Sequence, residues 1–242
     1  MFIKFGKEEH LKSLMEKGEI FFNPCIKFRN WEKDDGIKDT QDGGIKIKAM
    51  ETKISNSCGV TQKVKNIALG FIIEPAKNIP VFCLFQIENI QELNEQKREI
   101  EKQFPDYSHA LIIEDEEDFL ENIRFSFRNK AFCHKIFYQD MFYEDFLEFL
   151  YKGKSDVLFY SPQKKKDRLY AYIKYEPIDG SIRQLDIDDS NFYKTMYTKR
   201  TNYIAQREYR IVLPYEQIDK GKIFNIQPFN AMLVKIEELC KG

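Results

Sequence analysis

Apolar and polar positions alternate over short distances along most of this chain, a pattern that marks strands more often than long helices. Phe2-Ile3-Lys4-Phe5 reads as a short strand stopped by Gly6. Between Lys7 and Lys17 the period changes: Leu11, Leu14 and Met15 recur at helical spacing, Glu8, Glu9, Lys12 and Glu16 fill the other side, and Gly18 supplies the stop. Glu19-Ile20-Phe21-Phe22-Asn23-Pro24 returns to strand and closes on its proline. Val81-Phe82-Cys83-Leu84-Phe85-Gln86-Ile87 is apolar on both parities, so it is expected at the centre of a sheet covered on both sides.

Residues 25–48 break the pattern. Arg29, Trp31, Asp34, Asp35, Gly36, Lys38, Asp39, Asp42, Gly43 and Gly44 make a polar, glycine-punctuated loop, read either as cover for a site or as a solvated insertion. Short β-like patches follow at Ile45–Ile47 and Ile67–Ile73. Ile90, Leu93, Lys97, Ile100 and Phe104 mark a charged helix ended by Pro105, and Ala110–Ile113 a strand. The acidic run Glu114–Asp118 precedes a helix carrying Phe119, Leu120, Ile123 and Phe127, where negative charge suits the positive end of the helix dipole. Tyr143–Tyr151 reads as an aromatic helix; Val157–Ser161 and Leu169–Tyr175 read as a hairpin around the turn Pro162–Asp167. Strands at Ile182–Ile187, Tyr209–Leu213, Ile223–Ile226 and Met232–Ile236, with a short helix or loop at Asn191–Thr198, complete the chain. The expected fold is α+β: one domain over residues 1–242 with a largely antiparallel β-sheet, whole or split, flanked by helices.

Composition narrows the function classes. A formal net charge of -1 argues against coating nucleic acid by bulk electrostatics and leaves room only for a local basic groove. The cysteines at 25, 58, 83, 133 and 240 are odd in number and lack C-x-x-C spacing, which suits reduced thiols in a cytoplasmic protein. No apolar run approaches the roughly 18 residues of a membrane span, and Met1-Phe2-Ile3-Lys4 does not open a signal peptide. The expectation is a cytoplasmic protein without a membrane partner.

Most site chemistries fail on spacing. His10, His109 and His134 sit in different elements without zinc spacing, no nucleophile elbow occurs, and Gly43-Gly44 lacks the rest of a phosphate loop. A lysine turn at Lys164-Lys165-Lys166 is more simply a soluble tip than a phosphate clamp. Asp186 and Asp188, with Asp189 and Lys194 near, are the best carboxylates for a metal-dependent nuclease. There remains Tyr203-Ile204-Ala205-Gln206-Arg207-Glu208-Tyr209-Arg210, a polar loop entering a β-branched run. Glu208 and Arg210 share a strand face by their spacing, and from spacing alone an ordinary surface pair is the simpler reading.

Here a resemblance enters. The N-terminal strand and helix, Gly18-Glu19-Ile20-Phe21-Phe22, a middle strand with a hydroxyl at Tyr160-Ser161, and a late Gln206-x-Glu208 at a loop-to-strand junction look like the ADP-ribosyltransferase fold. The chain is also similar to a widespread bacterial family without an established activity. That likeness rests on Phe2–Phe5, on Gly18–Pro24, on Phe28-Arg29 with Lys38-Asp39 and Gly43, and on the aromatic-x-x-Gln-x-Glu-Tyr-Arg of 203–210. The first resemblance implies NAD as substrate, an unknown protein or nucleic-acid acceptor, and the setting of a toxin or anti-phage effector. It implies that Glu208 would hold the nicotinamide ribose and steady the cationic transition state, with Gln206 orienting the acceptor. Phe21, Phe22 or Tyr203 would stack on nicotinamide, and Asn23 and Ser161 would line the same cofactor site. Arg29 would contact the dinucleotide, with Asp39 paired to it or to the adenosine ribose, and Arg210 would hold Glu208. Lys4 stands where such enzymes carry Arg or His, and a point charge lacks the planar fork of arginine. Beside this reading stand a non-catalytic nucleic-acid or nucleotide-binding module using Lys4, Arg29, Arg210 and the lysine turn, and the nuclease.

Overall fold

A computed structural model describes residues 1–30, 42–55, 61–72, 74–89, 91–92, 106–138, 159–160, 168–169, 173–175, 183–185 and 192–239. In chain order the elements begin β1 (Phe2–Gly6), α1 (Glu8–Lys17), β2 (Glu19–Pro24), α2 (Cys25–Arg29), β3 (Gly44–Ser55) and β4 (Thr61–Ile72). They continue with β5 (Pro80–Gln86), β6 (His109–Ile113), α3 (Glu116–Ser126), β7 (Phe132–Lys135), β8 (Phe137–Tyr138), β9 (Phe159–Tyr160) and β10 (Arg168–Leu169). The last are β11 (Ile173–Tyr175), β12 (Arg183–Leu185), β13 (Thr198–Lys199), β14 (Glu208–Val212), β15 (Lys222–Asn225) and β16 (Met232–Lys235). Short 3-10 turns stand at Glu74–Asn78, Phe192–Tyr197 and Thr201–Gln206. This is a mixed α and β protein with mostly antiparallel sheet. No helix among the described residues is long and apolar enough to cross a membrane.

The chain divides into two compact units, Met1–Thr40 with Asn78–Ile136 and Asn202–Gly242, and Gln41–Lys77 with Phe137–Thr201. Each is assembled from separated segments, so no linker-like stretch marks a boundary. The first unit holds an eight-stranded sheet ordered β15-β2-β5-β1-β6-β16, with β14 against β5 and β7 against β14. Alternation along its strands gives two faces. Phe2, Phe22, Phe82, Leu84, Leu111 and Ile211 fall on one and pack with Leu11 and Leu14 of α1 and Phe119 and Ile123 of α3. Ile3, Phe5, Phe85 and Ala110 fall on the other.

Local chemistry explains where the helices begin and end. Helix α1 opens with Glu8 and Glu9, ends with Lys17, and is capped by Gly18 in the left-handed region at φ 69°. A side chain there would also meet the chain, since a Cβ on Gly18 would lie 2.0 Å from the Ile226 carbonyl oxygen. The acidic run before α3 works as its spacing suggests: the Asp115 carboxylate accepts the Asp118 backbone N–H at 2.9 Å, and Glu116, Glu117 and Asp118 fill the first turn.

In the second unit, β3 and β4 form one antiparallel ribbon that keeps a single register from Gly44↔Ile72 to Ser55↔Thr61, longer than the patches the sequence suggests. Polar residues interrupt the apolar alternation that would have shown its full length. The hairpin expected near 160 is present as Tyr160↔Arg168 and Phe159↔Leu169, while Ile173–Tyr175 pairs instead with Arg183–Leu185. Thr195 donates its hydroxyl to the Gly43 carbonyl at 3.2 Å, tying the start of the ribbon to the Phe192–Tyr197 turn. The helices expected at 90–104 and 143–151, the lysine turn at 164–166 and the nuclease candidates Asp186, Asp188 and Asp189 lie outside the described residues, apart from the helical start at Gln91 and Glu92.

Candidate functional site

The site grows out of strand β5, which lies at a fork in the sheet. One edge of β5 pairs with β14 throughout, from Val81↔Val212 to Phe85↔Glu208. Its other edge is shared: β1 pairs only at Ile3↔Phe85 and Phe2↔Gln86, and β2 only at Asn23↔Val81 and Pro24↔Pro80. Between those contacts β1 and β2 part. Cys83 lies at the parting, where neither strand pairs with it, and there the Lys4 ammonium donates to the Cys83 carbonyl at 2.7 Å. The Lys4 ammonium lies over the Phe82 ring, with Nζ 4.4 Å from the ring centroid. Burial lowers the Lys4 pKa below its usual value, against the opposing attraction of Cys83 and Glu208.

On the far side of β5, Glu208 is the first residue of β14 and is 7% exposed. Arg210 is fully buried at 0% and its Nε donates to the Glu208 carboxylate, so the two side chains do share a face. The guanidinium also lies 5.8 Å from the Phe28 ring centroid, which puts α2 on this face. Cys83 of β5 and His134 of β7 flank Arg210 in register. Burial lowers the His134 pKa and so favours the neutral ring, against its hydrogen bond to the Lys135 carbonyl at 2.7 Å.

The loop entering β14 is built on strain. Tyr203 and Gln206 are buried on the 3-10 turn Thr201–Gln206. Arg207 then takes φ 39°, a left-handed angle unusual for a residue with a side chain. The reversal separates Gln206 from the strand, so a two-residue spacing does not by itself put Gln206 on the face of Glu208. Three contacts fix the link: the Arg207 N–H donates to the Ile204 carbonyl at 3.1 Å, its carbonyl accepts the Gln86 N–H at 2.8 Å, and its guanidinium pairs with Glu92.

The other sequence candidates distribute as follows. Phe22 is wholly buried in the core, its ring 5.8 Å from Phe82, 5.8 Å from Phe127 and 5.4 Å from Phe224 by centroid. Phe21, on the opposite face of β2, is 50% exposed. Asn23 shares the face of Glu208 through its register with Val81. Arg29 corrects an expectation: it ends helix α2 and is buried, rather than standing in the long loop. Pro24 fixes an extended N-cap from which Cys25–Arg29 completes a turn, closed by the Asn30 N–H on the Ile26 carbonyl at 3.1 Å. Ser161 lies outside the described residues. Cys83, His134, Phe28 and Glu92 were missed as neighbours; only a strand at Phe132–Lys135, too short to show a period, would have brought His134 to Arg210. The described residues hold no cluster of His, Cys, Asp and Glu fit for a metal ion. Compared with protein-family models, curated proteins and solved structures, the chain matches none.

Proposed function

We propose that this chain is an ADP-ribosyltransferase-like protein that consumes NAD and transfers ADP-ribose to a macromolecular acceptor. The observation that carries the reading is the Glu208 carboxylate, nearly buried at the first residue of β14 and held on its face by Arg210. A fixed carboxylate shielded from water is what an oxocarbenium-like transition state needs, since its charge is steadied without solvent reorganisation. The largely antiparallel sheet and the loop-to-strand junction before β14 are compatible with the layout that the resemblance implies.

In this reading the ribose C1′–nitrogen bond of NAD breaks, and its electron pair leaves with nicotinamide, neutralising the pyridinium. The carboxylate of Glu208 faces the positive charge left on the ribose. An acceptor nucleophile oriented by Gln206 then bonds to C1′ and gives up its proton. Lys4 enters differently from the resemblance. Its ammonium is engaged by the Cys83 carbonyl, so it supports the fork and adds positive potential rather than gripping the pyrophosphate.

The test is incubation of the protein with labelled NAD and cell lysate, following free nicotinamide and labelled macromolecules. Wild-type protein is expected to release nicotinamide or label an acceptor. Glu208→Gln is expected to lose about 100-fold or more of that turnover, the scale of removing one preorganised electrostatic group. Circular dichroism of the variant separates lost chemistry from lost fold. Wild-type protein that neither releases nicotinamide nor labels anything sinks the transferase reading. Nucleic-acid affinity that falls steeply with salt and survives Glu208→Gln would then identify the binding module.

A further inference from the structure

We infer that Arg207, through its ion pair with Glu92, is a positioning residue that holds the left-handed link between Gln206 and Glu208. The inference rests on the transferase reading for its activity measurement, and on geometry for the rest. At φ 39° the Arg207 backbone is in a region that a residue with a Cβ enters only when its surroundings hold it there. The holding contacts converge on the end of β5 and the segment that follows it. Gln86 donates its N–H to the Arg207 carbonyl at 2.8 Å, and Glu92 pairs with the guanidinium. Glu92 is itself anchored, because the Asn89 side chain accepts the backbone N–H groups of Gln91 at 3.0 Å and Glu92 at 3.3 Å. The tether therefore runs from a capped helical start to the residue whose φ sets the direction of its neighbours on both sides. Arg207 is 37% exposed and Glu92 18%, so the pair contributes little to global stability. Its effect is local: it selects one backbone state of the loop that carries both Gln206 and Glu208.

A glycine discriminates this role from a substrate contact, because glycine takes positive φ without a tether. Arg207→Ala and Glu92→Gln are expected to lower kcat about tenfold with KM within about twofold, the mark of lost alignment rather than lost binding. Arg207→Gly is expected to lose about fivefold less than Arg207→Ala, and the exchanged pair Arg207→Glu with Glu92→Arg to regain most of the loss. The second readout is amide hydrogen exchange at Gln86, whose N–H bonds the link directly. It is expected to speed about tenfold in Arg207→Ala and Glu92→Gln, and clearly less in Arg207→Gly and the exchanged pair. Melting curves identify any variant that has unfolded, and Glu92→Gln with the exchanged pair carries the test if Arg207→Ala does not fold. A glycine variant as impaired as alanine in both readouts, or an exchanged pair without recovery, overturns the inference. If wild-type protein turns over no NAD, the transferase reading fails, while exchange at Gln86 still decides the positioning role.

Discussion

Strand β14 presents two buried surfaces from five residues. On one face Tyr209 and Ile211 join an apolar core, with the Tyr209 ring tilted at 44° against Phe2 and 4.5 Å from its ring centroid. On the other, Arg210 is as well hidden from water as any leucine of that core and Glu208 nearly so, yet they carry opposite charges. The first face is held by area removed from water and tolerates exchange of one apolar shape for another. The second is held by complementarity of charge, and removing either group leaves the other buried without that partner. The contrast shows that deep burial in this sheet has two causes, and that only one of them points to chemistry.

The sharpest test of that contrast is Arg210→Met. It leaves the Glu208 carboxylate buried without its guanidinium and is expected to cost about 3–5 kcal/mol by urea unfolding. Ile211→Ala on the apolar face is expected to cost a similar 2–5 kcal/mol, roughly, through the cavity it opens. What separates the faces is recovery. Adding Glu208→Leu to Arg210→Met is expected to restore most of the stability, because it removes the stranded charge. If Arg210→Met costs under about 1 kcal/mol, the pair is solvated like a surface ion pair and the two faces do not differ in this way.

A middle-sized effect belongs to the apolar face alone. Burial raises the Cys133 thiol from 9.0 to about 11, against the attraction of Arg124. The folded state thus keeps a proton that the unfolded chain gives up, so stability is fully present below pH 9 and is lost as pH rises to 11. About two pKa units correspond to a loss on the order of 3 kcal/mol. Burial likewise raises Tyr209, which extends the same downward slope above pH 10. Urea midpoints between pH 8 and 11 are expected to fall for wild-type protein and to fall distinctly less for Cys133→Ala. Equal slopes would mean that the thiol is solvated and that this face is less dry than its packing implies.

How much of this was legible in the chain depends on which interactions set each feature. The strands at Phe2–Gly6, Pro80–Gln86 and Glu208–Val212 and helix Glu8–Lys17 were legible within a residue or two, because local period and stop residues determine them. The same-face relation of Glu208 and Arg210 was legible for the same reason. The fork at β5 was not, since it depends on which parts of one strand edge are claimed by β1 and which by β2. The core position of Phe22 against the exposed Phe21 was also hidden, because two adjacent phenylalanines reveal a strand but not its polarity. Arg207 looked like the anonymous residue between Gln206 and Glu208. Its role became visible only with its backbone angle and with Glu92, 115 residues away in sequence.

Lys4 gives the effect that cuts across both faces. By alternation it belongs with Phe2 on the apolar face, yet its ammonium reaches the fork and feels the charge of Glu208 on the other. Burial keeps its pKa below 10.5, so in alkaline solution the unfolded chain still binds a proton that the folded state has released. Stability from this group therefore rises with pH between the lowered folded value and 10.5, opposite in sign to Cys133 and Tyr209. Lys4→Met keeps an unbranched side chain and removes the titration, so the net alkaline decline in urea midpoint is expected to steepen in the variant. A decline that stays the same would place the ammonium in water, and the two faces would then be electrostatically separate, with Glu208 answering to Arg210 and not to the group at the fork.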